Sequence, residues 1–156
     1  MACTRSVMDQ MLEVRPTDNV EDIKAVLAHP EIWDAITDDY CPPVDQFDFA
    51  FDGWRKVCGY DGGRPFAVMM FHEFADGEKL HIQVLPDSRD KSREFAGKAL
   101  EYANYPLYAE IPEIYQNVIK FADEFGFIPI CHKPEPHIKR GESCNVLLMR
   151  KEHGRG

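Results

Sequence analysis

An α/β domain, with a mixed but mostly antiparallel sheet flanked by helices and a C-terminal hairpin, is what the sequence predicts, on three observations. Two tight-turn signals, "DGG" at 61–63 and Asp76-Gly77, cut the middle of the chain into three strand-like runs that fold back on one another. Stretches with helical spacing, "TDNVEDIKAVLAH", "SREFAGKALEYA" and "PEIYQNVIKFADEFGF", stand between extended runs. The 156 residues are 44% hydrophobic and 12% aromatic, spread along the chain, which suits a single domain over 1–156 with one core.

Each element has a local cause. "MLEVRP" (11–16) alternates and meets Pro16, a short first strand. Thr17 or Asp18 can cap the following helix, whose first turn is acidic and whose Val20, Ile23, Val26 and Leu27 share a face. Pro30 ends it, and a shorter helix carries Ile32, Trp33 and Ile36. "DDYCPPVDQFDFAFDG" is a loop. Of the strands "WRKVCGY", "RPFAVMMFHEF" and "KLHIQVLP", the second is nearly all apolar and belongs at the centre. With Asp76-Gly77 as a two-residue turn, Ala75 faces Glu78, Glu73 faces Leu80, and His72 faces His81. A helix over 92–103 places Phe95, Ala99 and Tyr102 on one face. "PLYAEIP" is a strand stopped by Pro112, and the next helix runs to Gly126. "FIPICHK" and "SCNVLLMRK", separated by "PEPHIKRGE", form the closing hairpin.

Composition narrows the function. The chain has 27 acidic residues against 18 Lys plus Arg, a formal charge of −9, which argues against general nucleic-acid or anionic-membrane binding. A local basic set remains at Arg89, Lys91, Arg93 and Lys98. Cys3, Cys41, Cys58, Cys131 and Cys144 are odd in number and lack metal-ligand spacing, so reduced thiols are expected, with no zinc site or disulfide framework. No apolar run approaches the roughly 20 residues of a membrane helix, and "MACTRSVMDQMLEV" has no signal pattern. A cytoplasmic protein is the expectation.

"VLPDSR" (84–89) leaving one strand, "GKAL" (97–100) entering a helix, "EIP" (110–112) and "EFGF" (124–127) together resemble the GNAT N-acetyltransferases, in style closest to small GNAT-like proteins of tailed phages. The resemblance implies acetyl-CoA as cofactor and an amine as substrate. It also implies a cofactor site on main-chain groups around Val84 and Leu85, near Arg89. The pyrophosphate would lie on a loop at Ser92-Arg93-Glu94-Phe95-Ala96-Gly97, with Lys98 behind it, because free helix-end amides and close backbone favour phosphate. Phe95 stands where the family has its first glycine. The family's tyrosine acid falls on Ala122, leaving Tyr115 as a substitute. The family's cofactor-facing asparagine falls near Tyr115, with Asn117 two residues on.

For the base, His81, Glu73 or Glu78 could take a proton from a substrate ammonium, and His72 is a cross-strand neighbour of His81. The same residues also read as a solvated polar face. His132 and His137 read as loop residues, and Cys131 and Cys144 as small strand residues facing each other. The acidic, aromatic segment 38–54 reads in three ways: the wall of a pocket for a cationic amine, a protein interface centred on 40–54, or a loop that buries its own rings. Two functions follow. One is an acetyl-CoA-dependent N-acyltransferase acting by direct attack. The other is an inactive phage protein of GNAT fold that works in head assembly or the virion through protein contacts.

Overall fold

The computed structural model describes residues 12–154. In chain order the elements are β1 (Leu12–Pro16), α1 (Val20–Leu27), α2 (Pro30–Ile36), β2 (Arg55–Asp61), β3 (Arg64–Phe74), β4 (Gly77–Val84), α3 (Ser92–Ala99), β5 (Leu107–Pro112), α4 (Gln116–Glu124), β6 (Ile128–His132), β7 (His137–Lys139), β8 (Glu142–Cys144) and β9 (Val146–Lys151). Seven strands form one sheet in the order β1-β2-β3-β4-β5-β9-β6. Every neighbouring pair is antiparallel except β4 and β5, which run parallel. The predicted mixed sheet and closing hairpin are therefore present. The connection between β6 and β9 carries its own small hairpin, β7 with β8.

Three local readings are corrected. Asn19, not Thr17 or Asp18, caps α1, accepting from the amides of Glu21 and Asp22. Thr17 is still held to the sheet through its amide on the Lys56 carbonyl. The hairpin turn is Ala75-Asp76, since Phe74 faces Gly77, Glu73 faces Glu78, His72 faces Lys79, and Met70 faces His81. Gly77 is needed for another reason: a Cβ there would sit 1.9 Å from the Pro106 carbonyl oxygen. The register moves by an even number of positions, so His72 and His81 stay on one face as diagonal neighbours. Cys131 and Cys144 do not face each other. Cys131 lies opposite Leu148, and Cys144 opposite His137.

The two faces of the sheet carry different helices. On one, Tyr60 Oη donates to Asp22 of α1 at 2.7 Å and the Lys56 ammonium meets Asp18 at 3.2 Å. On the other, Phe95 of α3 is fully buried against Phe66, with ring centroids 5.9 Å apart. A register shift at Gly59/Tyr60 leaves Phe66 without a strand partner, which lets its ring turn to the α3 side. Helix α3 ends at Ala99, and the exposed Tyr102 lies in a following 3-10 turn. Helix α4 stops at Gly126, where φ is +91°, and Lys151 Nζ caps it by donating to the Phe125 carbonyl at 2.6 Å. Because the buried Tyr60 hydroxyl ties β2 to α1, Tyr60→Phe is expected to lower stability by about 1 kcal/mol. Thermal unfolding should show a midpoint about 2–4 °C lower.

Candidate functional site

The parallel pairing of β4 with β5 is short, covering only Glu78↔Leu107 and Lys79↔Tyr108. Because Phe74 and Gly77 close the two-residue turn, alternate residues 78, 80, 82 and 84 point their main-chain groups away from β3. Glu78 uses its amide on the Pro106 carbonyl at 3.1 Å. Beyond Lys79 the two strands part, and Ile82 and Val84 direct their main-chain groups into the opening. The Val84 carbonyl accepts from Arg89 Nε at 2.8 Å. Leu85 lies off this edge, its amide donating to the Phe66 carbonyl at 2.8 Å. Ile82 was missed by the sequence reading, because the alternation that assigns it depends on the true register.

The expected phosphate loop is not a loop. A 3-10 turn, Pro86–Lys91, leads straight into α3, so Ser92, Arg93, Ala96, Gly97 and Lys98 are helical. From Ala96 onward the amides belong to the helix's own hydrogen bonds. Phe95 turns into the core, and Gly97 has open space around it and an ordinary helical backbone. What stands at the helix entrance is a glycine-free turn carrying Arg89 and Lys91. The basic set is interleaved with acids: Lys91 with Asp61 at 3.5 Å, Arg93 with Glu124 at 2.9 Å, and Lys98 with Glu94 at 3.1 Å. Such exposed pairs hold together weakly, by about 0–1 kcal/mol each.

At the mouth of the opening, on the α1 side of the sheet, lies a stack of three rings. Trp54 covers His72 (centroids 4.2 Å apart) and His81 (5.1 Å), and the two histidines join through their Nε2 atoms at 3.0 Å. His72 Nδ1 lies 3.0 Å from the Glu73 carbonyl, which can only accept. In the neutral pair this network assigns His72 Nε2 as acceptor and His81 Nε2 as donor, leaving the His81 Nδ1 lone pair unused. Burial, then the neighbouring His72 and Lys79, pushes His81 down to about 4. His81 is thus uncharged near neutrality.

Beside it, Glu110 of β5 accepts from two ammoniums, Lys79 of β4 at 2.8 Å and Lys133 at 3.1 Å. Burial opposes the Glu110 charge, but the two lysines outweigh it and hold its carboxyl below the ordinary value. Lys79 also sits 4.1 Å over the Phe74 ring.

The remaining candidates lie elsewhere. Glu73 and Glu78 face each other across the hairpin, so they project from the face opposite His72 and His81. Glu78 is engaged by Arg55 and by the Asn104 amide. Tyr115 precedes α4 and donates to the Ala35 carbonyl at 3.1 Å, and burial raises its phenol. Asn117 is exposed in the first turn of α4. His132 contacts Glu113. Among the described residues, no group of three or more His, Cys, Asp or Glu could hold a metal ion, and no helix is long and apolar enough to cross a membrane. The buried Cys58 thiol is pushed up to about 12 by desolvation, which leaves it a poor nucleophile.

The rings of segment 40–54 pack mainly on one another. Trp33, Phe47, Phe49, Phe51 and Trp54 form a continuous chain of contacts that ends on His72 and His81. Tyr40 alone in the segment is a strongly exposed ring, at 78%. Three of the five aspartates of 38–54 accept backbone amides. Asp38 accepts from the Tyr40 amide, Asp39 from the amides of Arg140 and Gly141, and Asp48 from the Ala50 amide.

No protein-family model matches this chain, and no curated protein matches it by sequence. Solved structures do. Spermidine N-acetyltransferase from Vibrio cholerae, in complex with CoA and spermine, superposes with a TM-score of 0.74 at 14% identity, covering 92% of this chain and 96% of that one. The fold is the GNAT fold. A Salmonella typhimurium protein with its cofactor acetyl-CoA is similar over 94% of this chain and 96% of its own, at 16% identity and a TM-score of 0.69. A GCN5-related N-acetyltransferase from Kribbella flavida gives 0.68 at 16%, over 93% and 99%. The short parallel pairing of β4 with β5 is the feature on which the candidate site rests.

Proposed function

We propose that this protein is an N-acyltransferase that uses acetyl-CoA and an amine acceptor, with His81 as general base. One observation carries the reading: a half-buried, neutral imidazole with an unused Nδ1 stands two residues beyond the last paired position of β4, where the strands part. The free edge of β4 suits an extended amide-bearing arm, through the main-chain groups of Ile82 and the Val84 amide. Arg89, whose guanidinium already reaches the Val84 carbonyl, and Lys91 suit phosphate at the head of the turn. The fit is thus to the strand edge and the basic turn, with the helix at 92–97 outside it.

Acetyl-CoA supplies a thioester acyl group when bound. Within the chain's own chemistry, His81 Nδ1 receives the acceptor nitrogen's proton as that nitrogen's lone pair attacks, the stage at which the proton is acidic enough for an imidazole of lowered basicity. Trp54 excludes water from the imidazole, and His72 fixes its tautomer. The fold shared with spermidine N-acetyltransferase and with the acetyl-CoA-bound Salmonella protein supports this reading.

Thermal unfolding with millimolar acetyl-CoA tests it. Ligand at about 100 times its dissociation constant adds roughly 2.7 kcal/mol, expected to raise the midpoint about 5–10 °C. An unchanged midpoint up to several millimolar would remove the cofactor, and the acyltransferase reading with it.

A further inference from the structure

The charge around His81 is set by few groups. Lys79 and Glu110 are the charged side chains that act on it most strongly, and Lys133 joins them through Glu110. Two ammoniums share one carboxylate, so this part of the opening carries one positive charge in excess. Both Glu110 oxygens are taken, Oε2 by Lys79 and Oε1 by Lys133. An incoming cation therefore finds a carboxylate whose charge two ammoniums already offset. An incoming anion finds two ammoniums, each with three N–H donors of which Glu110 uses one. Lys133 is the more exposed of the two, its side chain 31% accessible against 13% for Lys79. Asp38, Asp39 and Asp48 are committed to local amides and to the turn of the β7–β8 hairpin.

We propose that the acceptor is a small primary amine bearing a carboxylate, held by Lys133 and Lys79 while its amino group meets His81, and that polyamines are disfavoured. This rests on the acyltransferase reading above. It separates the protein from its structural neighbour with CoA and spermine, since a polycation would meet a carboxylate already shared by two ammoniums. A carboxylate close to the amine would take the spare donors of both lysines, with charge-assisted bonds fixing its orientation.

The test compares acetylation of L-amino acids, their matched carboxamides and spermidine, with acetyl-CoA saturating. The amino acids are expected to give kcat/KM at least about tenfold above their carboxamides, with spermidine lower still. Lys133→Met should remove that preference by raising KM while kcat stays within about twofold, and Lys133→Arg should keep it. Equal rates for acid and amide, or a preference for spermidine, would overturn the proposal and leave the acyltransferase reading standing. If no amine reacts, two thermal measurements decide. Absence of an acetyl-CoA shift overturns both readings. With a shift present, amino acids must raise the midpoint of the CoA complex further than carboxamides or spermidine do, and failure to do so overturns the acceptor proposal alone.

Discussion

Gly77→Ala is expected to lower stability by about 3 kcal/mol, near the upper end of what overpacking costs. The added Cβ would lie 1.9 Å from the Pro106 carbonyl oxygen and 2.9 Å from its carbon. Both are main-chain atoms, so no rotamer change can relieve the clash. The neighbouring bonds also hold that segment in place: the Glu78 amide on Pro106, the Asn104 amide on Glu78 Oε1 at 3.2 Å, and Arg55 on the Tyr102 carbonyl at 2.7 Å. Relief requires moving residues 102–106 away from β4 at the one place where β4 and β5 pair. For a domain of this size the midpoint should fall about 6–12 °C. Gly97→Ala is the control. Its Cβ meets nothing within 4 Å on a helical backbone, and alanine's better helix propensity should raise stability by up to about 1 kcal/mol. If Gly77→Ala melted within about 2 °C of wild type, the β4–β5 junction would be looser than its contacts imply.

That pair of glycines marks where sequence is informative and where it is not. The three-strand meander was legible because its turn chemistry is local: "DGG" and the 75–77 region lie between runs that can only return on themselves. The register was not. Gly77 reads as a turn residue, but its lack of a side chain answers to Pro106, a neighbour brought by the fold. The stretch 92–97 carried two incompatible signals, a helical core face through Phe95 and Ala99 and a phosphate loop through Gly97. The core face prevails because Phe95 occupies the space left by Gly59, where a Cβ would lie 2.7 Å from its ring. That complementarity spans 36 residues of chain and has no local signature. His72 and His81 were visible as a same-face pair, since any even register shift preserves that. The cover supplied by Trp54 was not, because it depends on a loop folding back over the sheet.

His81→Gln should lower kcat/KM about 100-fold at neutral pH, the lower end of what a positioned base contributes. The glutamine amide can still donate to His72 Nε2, so the fold should survive at neutral pH while the unused basic lone pair is lost. Acid gives a second, independent signature. Unfolded, this histidine binds a proton near 6.5. Folded, it does so only near 4. Between those values the unfolded state holds more protons, so stability falls as pH drops from 6.5 towards 4 and this contribution changes no further below that. The loss amounts to about 3 kcal/mol at most, and His81→Gln should abolish it. The same displacement keeps the base form available well into mild acid, so the acidic limb of the wild-type pH–rate profile should lie well below 6.5. A histidine that merely packed against Trp54 would show the acid-linked loss of stability with no effect on rate. A variant that kept kcat/KM within threefold of wild type would therefore leave His81 a structural residue and move the search for the base away from the Trp54 stack.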